Sequence, residues 1–146
     1  MRFNTLDPNH ERRERRFLGL KAGISAPRFL MNNAPTLVVL TTGKEAFVRA
    51  NAILQMTLML RKFGQNPVEL LVLGPGIEIL RSNQKNSPLF SQQLEAMKKA
   101  GIEIAVCEQS MENLGLTPDQ MFEATIVRGG EEVARRIQGG YTILTF

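Results

Sequence analysis

The sequence has little of the chemistry that builds disulfides, metal cages or histidine-dependent active sites. Its 146 residues include one cysteine, one histidine and no tryptophan. Cys107 therefore has no partner for an internal disulfide, and a zinc cage of cysteine and histidine ligands is excluded because His10 is the only histidine. A Ser-His-Asp or Cys-His site would also have to use His10, close to a chain end, so neither kind of site is predicted.

Long uncharged apolar runs are also missing, so no segment of the chain is predicted to span a bilayer. Hydrophobic residues make up 43% of the chain and charged residues 22%, which is typical of a globular protein. This composition excludes collagen-like and wholly disordered chains, and the length suits one domain.

Positive charge is in excess only near the N-terminus. The chain has 18 basic and 14 acidic side chains, and residues 1–35 hold seven of the former and three of the latter. This segment therefore accounts for the whole net charge of +4. A nucleic-acid-binding domain is expected to carry its basic excess on the folded body, so no nucleic-acid partner is predicted. We interpret residues 1–35 as a basic extension, solvated or in contact with an acidic partner, and favour the solvated interpretation.

Paired arginines in the extension are similar to part of a twin-arginine export signal. The spacing differs from such a signal because Phe17 directly follows Arg16. Lys21 and Arg28 also interrupt the apolar stretch that a signal requires. The sequence therefore favours a cytoplasmic protein, with export as the minor alternative.

The body of the chain, residues 36–146, alternates short apolar runs with segments of helical spacing. Continuous apolar runs of this length are typical of strands that are covered on both faces. The order of the segments predicts a three-layer α/β/α domain with a mainly parallel five-stranded sheet. The predicted strands are 36–41, 68–73, 102–106, 124–127 and 141–145, and the predicted helices are 44–63, 87–100 with Ser87 as N-cap, 111–114 and 131–137.

In open parallel sheets, ligands bind beyond the carboxyl ends of the strands. Three segments should meet at that edge: Thr41 to Gly43, Gly74 to Gly76, and Cys107 to Ser110. Gly43 leads into a helix N-terminus, where free backbone amides favour an anion. The glycines match neither a Walker loop nor a dinucleotide fingerprint, so tight turns are favoured over ligand loops.

Cys107 is the sharper candidate at this edge. The thiolate is the nucleophilic form of cysteine, and a helix N-terminus lowers the pKa of a nearby thiol. A cysteine that follows a strand and precedes a short helix is well placed for this effect. Spacing alone supports an inert core cysteine equally well. A single cysteine excludes CxxC redox chemistry and leaves group transfer, redox sensing or no role.

Four segments of the body resemble, in the same order, the DsrE/DsrF-like (YchN-like) proteins of sulfur relay. The most specific likeness is a Cys-x-x-Ser segment at Cys107 and Ser110, followed by a short helix and Gly-Leu-Thr-Pro. The resemblance covers residues 36–146 and leaves out residues 1–35. Its four segments are 36–63, 72–76, 104–111 and 127–141.

The resemblance implies a subunit that assembles into homotrimers or homohexamers and carries sulfur as a persulfide on Cys107. A TusA-like or rhodanese-like donor would supply sulfane sulfur, an acceptor protein would receive it, and no metal or organic cofactor would be needed. The anionic sulfur would take hydrogen bonds from Ser110, Gly43 and Gly76, with Gly74 in the same loop.

Two other functions remain open from the sequence. One is an interaction subunit of the same fold with an inert Cys107 and a tail that docks a partner. The other is a small-ligand or nucleotide-binding module that uses Gly43 and the loop from Gly74 to Gly76. The second has less support, because no P-loop lysine or acidic ribose partner stands at the expected spacing.

Overall fold

The five apolar runs of the body form one sheet in which every pairing between strands is parallel. The structure is a computed structural model that describes residues 34–146. The predicted sheet is therefore confirmed, whereas the predictions about the basic extension and export fall largely on residues 1–33, outside the described part. The strands are ordered β4-β3-β2-β1-β5, with bounds β1 Thr36–Leu40, β2 Val68–Val72, β3 Glu103–Cys107, β4 Thr125–Val127 and β5 Thr142–Thr145.

Helical segments connect consecutive strands, as parallel pairing requires. Each of the four predicted helices is present, and their first residues differ from the predicted ones by one to three positions. The α-helices are α1 Phe47–Gly64, α2 Ser87–Lys99, α3 Glu108–Leu114 and α4 Gly129–Gln138, and 3₁₀ segments span Lys44–Ala46, Gly74–Leu80 and Pro118–Gln120.

Two helices begin two or three residues earlier than the sequence predicts, and both differences bear on the candidate site. α3 begins at Glu108 rather than at residue 111, so it follows β3 without an intervening loop. Its first two residues are exposed, and no apolar periodicity therefore marks them. α4 begins at Gly129 rather than at residue 131, and glycine has too low a helix propensity to mark a helix start.

The predicted N-cap role of Ser87 is wrong. Ser87 is the first residue of α2, and no side chain caps this helix. The Ser87 hydroxyl donates a hydrogen bond to the carbonyl of Arg81 at 3.0 Å and accepts one from the amide of Gln84 at 2.9 Å. The turn before the helix therefore uses the polar group that the sequence pattern assigns to the cap.

Apolar side chains cover both faces of the sheet, which confirms the three-layer architecture. On one face, α1, α2 and α3 pack on the strands in the larger cluster, where Leu54, Phe90 and Met97 are fully buried. On the other face, the smaller cluster contains Leu37 and other strand residues under α4. Burial on both faces explains why the strands are continuous apolar runs.

Charged residues hold α4 on its face of the sheet. Arg136 Nη2 lies 2.8 Å from Glu69 Oε1 of β2 and 3.2 Å from Glu132 Oε2. The Arg136 guanidinium also lies over the ring of Tyr141, 5.3 Å from its centroid. The pair with Glu132 follows from helical spacing, but the contact with Glu69 crosses to the sheet. This contact fixes where α4 sits and therefore where Gly129, its first residue, lies.

The outer side of α1 carries apolar residues as well as the buried side. Val48 is 78% exposed, Phe63 is 81% exposed, and Met59 lies between them at 44%. Their spacing places them along one stripe of the helix. Within residues 34–146, no helix combines the length and apolar character needed to cross a membrane.

Candidate functional site

Cys107 lies where a strand ends and a helix begins. It is the last residue of β3 and the N-cap of α3, with extended backbone angles of −74° and 119°. Because β3 is paired with β2 and β4, the segments that follow those two strands flank the cysteine. The residue is 8% exposed, so the sulfur lies in a protein-lined setting at the carboxyl edge of the sheet.

Ser110 connects the cysteine to the segment that follows β2. Its Oγ accepts a hydrogen bond from the backbone N–H of Gly74 at 2.8 Å. The hydroxyl hydrogen is therefore available for another acceptor, and the Ser110 side chain lies close enough to Cys107 to lower the pKa of its thiol. Two of the four predicted binding residues, Gly74 and Ser110, are thus joined by a hydrogen bond beside the cysteine.

Gly129 approaches the sulfur from the segment that follows β4. A Cβ atom at Gly129 would lie 2.9 Å from Cys107 Sγ and 3.1 Å from Cys107 Cβ. Real Cβ atoms essentially never make a contact of 2.9 Å, so the absence of a side chain allows the close approach. At Gly130, the next residue, an added Cβ would meet no atom within 4 Å.

The surroundings of Cys107 favour the thiolate. Burial raises the pKa of the thiol, but the nearby Ser110 hydroxyl and the amides of Ser110, Gly129 and Gln109 lower it. The net pKa lies below the ordinary value for cysteine. Donors that stabilise the charged form have this effect on any acid, and a thiolate is the nucleophile of sulfur exchange.

A comparison with protein families identifies the domain. The model of the DsrE/DsrF-like family matches residues 35–146. The chain belongs to the DsrE/DsrF-like family. The resemblance inferred from the sequence is thereby confirmed, and family membership indicates a role related to sulfur relay. No protein with a curated description matches the chain.

Solved structures of similar proteins share the fold of this DsrE/DsrF-like domain. The ychN protein from E. coli is 15% identical with a TM-score of 0.64, over 77% of this chain and 99% of that one. A protein of unknown function from Bacteroides thetaiotaomicron is 18% identical with a TM-score of 0.60, over 80% and 97%. Another, from Methanobacterium thermoautotrophicum, is 13% identical with a TM-score of 0.60, over 77% and 98%.

The other two predicted binding residues, Gly43 and Gly76, pack against backbone. The N–H of Gly43 donates to Glu45 Oε1 at 3.1 Å, and a Cβ at Gly43 would lie 2.5 Å from the carbonyl oxygen of Pro75. The N–H of Gly76 donates to the carbonyl of Leu73 at 3.2 Å. Both amides therefore have partners within the domain, which favours the tight-turn interpretation of these glycines.

Sequence reasoning did not single out Gly129 as a site residue. The missing step was the strand order, because β4 lies next to β3 and brings its following segment to the sulfur. Two adjacent glycines one residue after a short apolar run were the available signal. In the part of the chain that the structure describes, no three His, Cys, Asp or Glu side chains are placed to hold a metal ion.

Proposed function

We propose that this DsrE/DsrF-like protein carries sulfane sulfur as a persulfide on Cys107 and passes it between protein partners in sulfur oxidation or trafficking. The observation that carries the proposal is the position of Cys107 at the carboxyl end of β3 and the start of α3, where the Ser110 hydroxyl and nearby amides lower the pKa of its thiol. A carrier needs a thiolate near neutral pH, and an inert core cysteine does not need such donors.

The transfer step is a thiol exchange that conserves the persulfide. The Cys107 thiolate attacks the outer sulfur of a donor persulfide, R–S–SH, and a sulfur–sulfur bond forms on Cys107. The donor's sulfur–sulfur bond breaks, and the donor leaves as the thiolate R–S⁻ while the terminal proton stays on the transferred sulfur. The acceptor protein repeats the same step on Cys107. No external oxidant, reductant or organic cofactor takes part.

Intact-protein mass spectrometry tests this function. The wild-type chain, incubated with a TusA-like or rhodanese-like donor in its persulfide form, is expected to gain one sulfur atom. The Cys107→Ser variant is expected to gain none, because it lacks the attacking thiolate. A reductant should remove the added sulfur. Absence of the gain with several donors, from a folded protein, would favour the interaction subunit with an inert cysteine.

We also propose that the protein forms a homotrimer or homohexamer. The support is the exposed apolar stripe of α1, in which Val48 and Phe63 are about four-fifths exposed. Isolated domains seldom leave such a stripe in water. Light scattering of the full chain is expected to give three or six subunits at micromolar concentration, and a monomer would contradict the proposal. A cytoplasmic location stays a prediction from residues 1–35.

A further inference from the structure

The sulfur of Cys107 is bordered by segments that follow two different strands. Ser110 reaches it through a hydroxyl that the amide of Gly74 orients. Gly129 reaches it from the opposite neighbour, β4, as the first residue of α4. Of these, Gly129 acts with no side chain at all, since its contribution depends on how closely its backbone approaches the sulfur.

We propose that Gly129 is a positioning residue for Cys107: its missing side chain lets the first turn of α4 close against Sγ and direct a backbone N–H at it. The biological meaning of this role rests on the proposed sulfur transfer, whereas the geometry does not. A thiolate at Sγ would face one of the free amides at the start of a ten-residue helix.

Cys107 and α4 are held in place relative to each other, so they do not separate easily to admit a side chain at position 129. The register of β3 and β4 pairs Cys107 with Val127, two residues before Gly129. Farther along α4, Arg136 holds Glu69 of β2 at 2.8 Å. Because the helix is fixed at both places, a methyl group at 129 would have to displace the sulfur itself.

The sulfur has little room to retreat without losing its other donors. A Cβ at Gly129 would also come within 3.7 Å of Leu73 Cδ2, so Leu73 borders the same space. A displaced Sγ would move relative to the Ser110 hydroxyl and the α3 amides. The expected result of an added methyl is therefore a thiol whose anion is less stabilised.

The pair Gly129→Ala and Gly130→Ala separates this role from a general effect of alanine on the helix. Both positions lie in the first turn of α4, but only at 129 does a Cβ meet the sulfur. The measurement is the rate of iodoacetamide alkylation of the full chain between pH 5 and pH 10. The rate follows the thiolate fraction, so its midpoint reports the thiol pKa.

An ordinary thiol has its midpoint near pH 8.5. We expect the wild type and Gly130→Ala to share a midpoint below that value. The midpoint of Gly129→Ala should lie higher. Each unit by which the thiol pKa rises lowers the thiolate fraction at pH 7 about tenfold. The more basic thiolate is about threefold more nucleophilic, so the net rate of alkylation falls about threefold. Superimposable profiles for the two alanine variants would overturn the proposal.

A stability cycle with Cys107→Ala covers the case in which Gly129→Ala does not fold. If the sulfur is what position 129 must accommodate, removing it should restore much of the thermal stability that Gly129→Ala loses. If Gly129→Ala lowers the thermal stability equally in the wild-type and Cys107→Ala backgrounds, the proposal is overturned. The alkylation midpoint can also be compared between two variants of Ser110, because Ser110→Thr keeps the hydroxyl and Ser110→Ala removes it.

The alkylation profile also keeps this inference separate from the proposed function. If only Gly129→Ala raises the midpoint and the protein never gains sulfur, the positioning role is supported and the carrier function is contradicted. If both alanine variants gain sulfur equally and their alkylation profiles match that of the wild type, the carrier function is supported and the positioning role is contradicted.

Discussion

Replacing Phe90 by alanine is expected to lower the free energy of unfolding by about 3–5 kcal/mol. The Phe90 side chain is fully buried under α1 and against the sheet. Its ring meets that of Phe47 edge-on, with centroids 5.6 Å apart and planes at 62°. The variant loses the transfer energy of the ring and leaves a cavity. A domain of this size has a total stability of about 5–15 kcal/mol, so the loss is a large share of it.

Urea unfolding followed by far-ultraviolet circular dichroism measures this difference. The matched control is Phe63→Ala, which removes the same ring from a position that is 81% exposed. At a protein concentration low enough for the chain to be monomeric, the control should change the free energy of unfolding by less than about 0.5 kcal/mol, because the ring is then exposed. A Phe90→Ala loss below about 1 kcal/mol would contradict the described packing. A loss above that value at Phe63 would indicate that another subunit covers it.

Gly76→Ala is expected to destabilise the domain by about 2–3 kcal/mol because it places a methyl group against backbone. An added Cβ would overlap the carbonyl oxygen of Leu40 and would lie 3.3 Å from the carbonyl carbon of Thr41. No rotamer change can relieve a contact between Cβ and the main chain. The ends of β1 and β2 would have to separate, next to the segment that carries Gly74.

Gly64→Ala is the control for this substitution. Gly64 is the last residue of α1, and an added Cβ there would meet no atom within 4 Å. Alanine at this position should be neutral or stabilising by up to about 1 kcal/mol. Thermal denaturation of the two variants compares them directly. Equal stability of Gly76→Ala and Gly64→Ala would remove the packing role of Gly76 and reopen the ligand-loop interpretation.

The strands and the longer helices could be predicted because their signals are local. Burial on both faces makes β1 a continuous apolar run, and the spacing of Ile53 and Leu54 marks the inner side of α1. The first turns of α3 and α4 could not be predicted, since exposed polar residues and paired glycines carry no periodic pattern. The Ser87 hydroxyl was misassigned because the composition of a turn does not reveal which carbonyl it places nearby.

For the candidate site, sequence spacing identified what lies within one segment. Cys107 and Ser110 are three residues apart across a helix start, so their proximity follows from local geometry. The contact of Ser110 with Gly74 and the approach of Gly129 depend on which strands are neighbours. The sequence of an apolar run does not reveal its position in the sheet. For this reason Gly129, which approaches the sulfur from α4, was missed.

The strand order has a consequence for how the domain folds. β1 pairs on one side with β2 and on the other with β5, and Thr41 Oγ1 donates to the carbonyl of Phe146 across 105 positions of sequence. Such distant partners meet late, because closing a long loop costs entropy before any contact repays it. Until β5 docks, one edge of β1 is open to pairing with another chain. Refolding at high concentration is therefore expected to lose material to aggregation at this step, and dilution should restore the yield.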